Sequence, residues 1–245
     1  MKAFMLLIFL AGAGTKSFAQ NKQVIDSLTH ELAVAKQDTS RVYLLADLSF
    51  EYRNSNPDTA MILTKQSMEL AKKIKFLSGQ SRALHTAASV YWILGDISKS
   101  MELTYQALEI AEKNSYPFER TRALNLLGVL SAATGDTLKA FNYYYQALLS
   151  DKNTADRRNA AFWETTIQGN IGYLYKQQNK LDSSLDHFKK AYDISRKNNL
   201  KHNVAFVLDQ LGAVHSLMGD RKSGVELSSR AKNLRESDHD SRTGA

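Results

Sequence analysis

The feature that most restricts this chain is a repeat. Small residues at Ser67, Ala107, Ala147, Ala191 and Ala231 fall at intervals of 40, 40, 44 and 40. Self-similarity at such a period means stacked copies of one supersecondary unit. The frame around each copy is shared. Ala123-Leu124, Leu127-Gly128, Gly135-Asp136, Ala140 and Tyr144 precede Ala147, and Ala83-Leu84, Ala88, Gly95-Asp96, Ser100 and Thr104 precede Ala107. Ile171-Gly172, Asn179, Ser184 and Phe188 lead to Ala191, and Leu211-Gly212, Gly219-Asp220, Gly224 and Ser228 lead to Ala231. The first copy is degenerate, with Leu48-Ser49, Tyr52, Asn56-Pro57, Ala60 and Thr64 before Ser67.

Each copy reads as two antiparallel helices, since residues such as Leu126, Leu127, Val129 and Leu130 recur at helical spacing. The Gly-Asp pair, or Asn179 in its place, marks the turn between them. Gly or Asn enters the left-handed conformation that ends a helix, and Asp96, Asp136 and Asp220 are suited to cap the next one. Pro57 stands where a second helix begins, a position that needs no N–H donor. Gly128, Gly172 and Gly212 fall in mid-helix, where glycine costs about 1 kcal/mol relative to alanine. A cost repeated at equivalent positions predicts a close helix crossing, with Ala147, Ala191 and Ala231 facing it.

Composition supports an all-α chain, because 2 prolines and 12 glycines in 245 residues are too few for a turn-rich β protein. The absence of cysteine excludes disulfides, Cys-ligated metals, a thiol nucleophile and a lipoprotein anchor. Lys and Arg total 32 against 25 Asp and Glu, a formal charge of +7. The two signs are interspersed, whereas a nucleic-acid footprint clusters its positive charge, so no nucleic-acid partner is expected.

Residues 1–19 carry a different signal. Lys2 precedes an apolar run from Ala3 to Gly14, and Ser17-Phe18-Ala19 puts small residues before Gln20. The run is too short to cross a bilayer, which needs roughly 20 residues. The pattern is that of a secretory signal peptide and predicts an exported, periplasmic chain that begins at Gln20. No other stretch approaches a membrane span.

Leu127-Gly128 with Ala140, Tyr144 and Ala147, and Ile171-Gly172-Tyr175 with Phe188 and Ala191, resemble the tetratricopeptide repeat. The resemblance runs from Arg41 to Leu234. The period of 40 exceeds the family's usual unit of roughly 34 residues, as in members with longer helices, and Ser100, Ser184 and Gly224 replace an alanine. The resemblance implies an all-α solenoid of five helical pairs over 38–235, with units at 38–77, 78–116, 117–155, 156–199 and 200–235. The stripe Val24, Ile25, Leu28, Leu32 and Ala35 predicts a packing helix within 20–37, and residues 236–245, without an apolar stripe, are expected to be a disordered tail.

No set of residues offers chemistry. The six histidines, His30, His85, His187, His202, His215 and His239, form no metal-ligand spacing. No phosphate-binding glycine loop and no nucleophile with a base is present. Glu102, Glu109 and Glu112 read as a solvated helix face, and Tyr144 of the Tyr143–Tyr145 run reads as core. Neither a catalytic site, a metal nor a cofactor is expected, so an enzyme is the least supported class.

A stacked helical-pair solenoid has a concave face lined by its first helices. The resemblance places Tyr43, Ala46, Phe50 and Arg53 of the first unit there, then Arg82, His85, Ser89 and Trp92, then Arg122, Asn125, Val129 and Ala132. Asn170 and Tyr173 follow from the fourth unit, with Thr166, Gly169 and Lys176. Phe206, Asp209, Ala213 and Ser216 come from the fifth. Arg82 and Arg122 stand one period apart and are expected to stack as an exposed stripe that attracts an acidic peptide. The Lys/Asn clamp by which some family members hold a C-terminal carboxylate is not reproduced. The expected partner is thus a protein or peptide. The chain also resembles the exported repeat regions of envelope sensors, where repeats precede a membrane helix and an attached signalling output module. The expected function is an exported protein-interaction module; the alternative, implied by that resemblance, is a truncated sensor input region of a histidine kinase or transcriptional regulator.

Overall fold

The structure, a computed structural model, describes residues 16–150 and 157–243. Eleven α-helices and no strand occur among the described residues. After α1 (Lys16–Val34), ten helices run in pairs: α2 (Thr39–Tyr52) with α3 (Pro57–Lys73), α4 (Leu77–Ile93) with α5 (Ile97–Lys113), and α6 (Pro117–Ala133) with α7 (Thr137–Ser150). The last two pairs are α8 (Arg157–Gln177) with α9 (Leu181–Lys197), and α10 (Lys201–Leu217) with α11 (Arg221–Thr243). The one irregular interval has a simple source. α8 is 21 residues long where α4, α6 and α10 are 17, and those extra residues turn a spacing of 40 into 44.

The turns follow from local chemistry. Gly95 and Gly135 take φ of +84° and +85°, the left-handed geometry that lets the N–H beyond the turn reach back into the helix. Asp96 N–H thus donates to the Tyr91 carbonyl at 2.9 Å, and Asp136 N–H to the Ser131 carbonyl at 2.9 Å. The same aspartates then cap the following helices. Asp96 Oδ1 accepts from Lys99 N–H at 2.9 Å, Asp136 from Lys139 N–H at 3.1 Å and Asp220 from Ser223 N–H at 3.1 Å. Asn56 performs this service ahead of Pro57, accepting from Thr59 N–H at 3.0 Å.

The crossing within each pair uses the small residues. A Cβ added to Gly128 would lie 2.6 Å from Cδ1 of Tyr144, whose ring is buried, and one added to Gly172 would lie 3.2 Å from the Phe188 ring. In the last pair the first helix meets backbone instead, the Gly224 carbonyl lying 2.8 Å from such an atom on Gly212. Where serine replaces the alanine of the second helix, its hydroxyl finds the facing backbone. Ser100 Oγ donates to the Ala88 carbonyl and Ser184 Oγ to the Gly172 carbonyl, both at 2.8 Å. A buried hydroxyl is therefore satisfied, which makes serine tolerable there.

The chain forms two compact units, one holding α1–α7 and the other α8–α11. In the first, α2 also packs on α4 and α4 on α6, while the second helices α3, α5 and α7 make no comparable contact with one another. The first helices are thus the inner layer of that unit. In the other unit α8 likewise touches α10, over a core of Phe188, Ala191, Val207, Leu211 and Val214.

α1 packs through Leu32 against Val42, Leu45, Leu70 and Ala71. Arg41 Nη1 closes its last turn by donating to the carbonyls of Leu32 at 2.8 Å and Ala35 at 3.2 Å. α1 begins at Lys16, so it includes part of the expected signal segment, the rest of which lies outside the described residues. At the other end, α11 runs on to Thr243, where a disordered tail from 236 was expected. Nothing between Gly224 and Thr243 stops a helix, there being neither proline nor glycine. Arg235 also pins that stretch, donating to the Ala205 carbonyl at 3.4 Å.

Candidate functional site

The inner layer of α2, α4 and α6 holds a concentration of charge and aromatic surface. Arg82 on α4 is its centre. Its Nη1 lies 3.2 Å from Asp47 Oδ1 on α2, and its Nε lies 3.2 Å from Glu119 Oε1 on α6. The same guanidinium stands 4.2 Å over the Tyr43 ring and 5.6 Å from that of Phe118. Arg122 shares Glu119, its Nε 3.8 Å from Oε2, and lies 5.8 Å from Phe118 and 5.9 Å from Phe50. Arg53, just beyond the end of α2, lies 3.5 Å over the Phe50 ring and donates to the Phe50 carbonyl. The His85 ring stacks on Phe50 with centroids 6.4 Å apart.

Burial decides how these groups behave. The side chains of Arg82, Arg122 and Glu119 are only 12%, 8% and 3% exposed. Burial works against the charge on Arg82, but Glu119 and Asp47 outweigh it and hold its pKa above the ordinary guanidinium value. Arg122 is pulled down to about 10 by burial, and Arg82 adds to the pull. Burial also takes Arg53 to about 10, with Glu51 opposing and Arg122 adding to the shift. His85 is driven well below its usual value by burial and then by Arg122, Arg82 and Arg53.

A neutral His85 predicts a pH-dependent stability. The unfolded imidazole takes a proton near pH ~6.5, while the folded one does so only at lower pH. Its contribution is therefore complete above that pH and is lost as pH falls, at about 1.4 kcal/mol per pH unit. Urea unfolding at about pH 7.5 and about pH 5.5 should differ by roughly 1.4 kcal/mol more in the wild type than in His85→Phe. Equal differences in the two proteins would show that folding does not lower the His85 pKa.

The residues expected to line the face are distributed between the two units. Arg82, His85 and Trp92 on α4 and Arg122, Asn125 and Val129 on α6 share the inner layer of the first. The arginines do stack one period apart, but the stripe is not open charge: Arg82 is held by Asp47 and Glu119, and both guanidinium groups are buried. Trp92 and Val129 are half-buried against Ala88, Leu126 and Leu130, so they serve packing as well as surface. Asn170 and Tyr173 on α8 and Asp209 on α10 belong to the second unit. There Lys176 lies 4.8 Å over the Tyr173 ring and donates to Gln210 Oε1 at 2.6 Å, and burial lowers its pKa. Asp209 accepts an ion pair from Arg235 of α11.

Glu119 and Asp47 escaped the sequence reading. Their signal was a spacing: each lies nearly one period from Arg82, at 37 residues after and 35 before. Elsewhere the acidic residues behave as a solvated face, with Glu102 and Glu109 pairing with Lys99 and Lys113 at 2.8 and 2.6 Å. Among the described residues no group of three or more His, Asp or Glu side chains is placed to hold a metal, and no helix is long and apolar enough to cross a membrane.

Comparison with known proteins reports on the same architecture. The family model of the tetratricopeptide repeat matches residues 81–114 and 165–198, which are the pairs α4/α5 and α8/α9. The chain is similar to BtubC from P. vanneervenii, with 18% identity over 93% of both chains and a TM-score of 0.63. It is also similar to a Rap protein solved in complex with Competence and Sporulation Factor, with 16% identity, a TM-score of 0.66 and coverage of 91% of this chain and 61% of that one. The apo form of RapI gives 13% identity, 91% and 62% coverage and a TM-score of 0.58. At these identities the likeness is one of fold. No curated protein sequence matches the chain.

Proposed function

We propose that this chain, a protein of tetratricopeptide repeats, is an exported interaction module that holds a peptide or protein segment along the inner face of its first helices. One observation carries the reading. Packing a helical solenoid needs only apolar and small side chains, yet α2, α4 and α6 gather Asp47, Arg53, Arg82, His85, Glu119 and Arg122 around three aromatic rings. Buried charge of this kind is a poor source of stability, and local rules are broken where a surface has work to do. The Rap protein solved with Competence and Sporulation Factor supports the reading as a binder of similar fold. Export rests on the sequence from Lys2 to Ala19.

Two measurements test the reading. A photo-reactive amino acid placed at Trp92 or Val129, on the inner layer, should cross-link a partner in the envelope of the producing cell. The same group at Glu109 or Lys190, on exposed second-helix surface, should not. The reverse pattern would move binding to the outer face and sink the proposal. N-terminal sequencing of the exported product should begin at Gln20; recovery of Met1 would remove the signal-peptide reading.

A further inference from the structure

In the inner layer of the first unit, Arg82 is neutralised by Asp47 and Glu119. The inner layer of the second unit holds a cation without such a partner. Lys176, in the last turn of α8, is half-buried, and its ammonium crosses to α10 to donate to Gln210 Oε1 at 2.6 Å. It stands 4.8 Å over the Tyr173 ring and 6.0 Å from the buried ring of Phe188. Among the described residues no carboxylate lies within ion-pair distance of it. Asp209, next to Gln210 in sequence, pairs with Arg235 of α11. Burial alone lowers the Lys176 pKa, with no acid opposing it. An ammonium has three N–H donors. Gln210 takes one of them with a neutral oxygen, so two donors remain and the charge itself is not met.

We infer that Lys176, on the inner layer of the second unit, is the seat for one carboxylate of a bound segment. This rests on the proposed inner-face binding and assigns it a specificity-determining residue. Gln210 positions the ammonium, and the Tyr173 ring supplies apolar surface beside it. One ammonium matches one negative charge, whereas a phosphate dianion would carry a second charge onto a partly dry face with nothing from Lys176 to meet it. Half-burial also preserves the attraction, which water around a fully exposed lysine would screen. The carboxylate comes from an aspartate or glutamate side chain, or from a chain terminus.

Lysine Cε–Hε resonances of the intact protein test the seat directly, with the signal lost in Lys176→Arg assigning Lys176. At constant ionic strength and neutral pH the protein is titrated with N-acetylglycine for a chain terminus and N-acetylglutamate α-amide for a side chain. N-acetylglutamine α-amide serves as the uncharged counterpart, and inorganic phosphate as the rival anion. The expected result is a saturable shift at Lys176 with one of the two carboxylates and none with the glutamine probe; which carboxylate it is identifies the source. The Gln210 side-chain amide, present in every variant, then reports affinity. Lys176→Gln should bind that carboxylate about tenfold more weakly or worse, and Lys176→Arg, which keeps the charge, should restore most of the loss. No saturable shift with either carboxylate, an equal response to the glutamine probe, tighter binding of phosphate, or undiminished binding by Lys176→Gln overturns the proposal. Cross-linking at Trp92 and Val129 without any carboxylate response at Lys176 would remove the seat and leave the inner-face reading standing.

Discussion

Glu119→Gln is expected to destabilise the protein by about 3–5 kcal/mol, the range for removing one member of a buried ion pair. The substitution keeps the shape of the side chain and deletes its charge. Arg82 then retains only Asp47, whose side chain is 40% exposed, and Arg122 loses the carboxylate it shares. Two guanidinium groups that are 12% and 8% exposed cannot recover that loss from water. Glu112→Gln is the control: Glu112 pairs with Arg120 at 3.1 Å but is 49% exposed, and such a pair contributes about 0–1 kcal/mol. Urea unfolding followed by far-UV circular dichroism measures both. Equal losses in the two variants would mean that the Arg82 network adds nothing beyond a surface pair.

A glycine-to-alanine series separates the helix crossings. Alanine favours a helix interior by about 1 kcal/mol over glycine, so a site with room should gain from the change. Gly128→Ala should nevertheless destabilise by roughly 1–3 kcal/mol, because the new Cβ would sit 2.6 Å from Tyr144 Cδ1 and the buried ring cannot swing away. Gly172→Ala meets the Phe188 ring at 3.2 Å, where a few tenths of an ångström suffice, and its effect should stay within about 1 kcal/mol of zero. Adding Tyr144→Leu to Gly128→Ala should recover part of the loss. If Gly128→Ala is as stable as the wild type, the ring is not what requires glycine.

The fold was legible because its rules are local. A period in small residues located the pairs, Gly-Asp located the turns, and the mid-helix glycines located crossings that Tyr144 and Phe188 fill. The inner face was less so. Periodicity put Arg82 and Arg122 on one stripe, but it carried no information about Glu119, which lies three residues before Arg122 and reads as an ordinary first-turn acid of α6. Only the docking of α4 against α6 brings it to Arg82. The two arginines were therefore expected to be exposed and are instead tied down. The run of α11 to Thr243 was missed for a related reason. Its support is Arg235 reaching Ala205 and Asp209, a contact between helices that no apolar stripe announces.

The meeting of Arg122 on α6 with Phe50 on α2 has a consequence for how the first unit comes apart. In a linear array each repeat feels only its neighbours, so the ends fray and opening spreads pair by pair. Here a side chain of the third pair rests on a ring of the first, and Arg82 of the second is bound to both. Loss of the second pair therefore strands charge in the other two, and loss of either of those takes a carboxylate from Arg82. Amide exchange across α2–α7 should consequently proceed in a single cooperative step with one shared protection free energy, without a graded decline from the interior of the array to its edge.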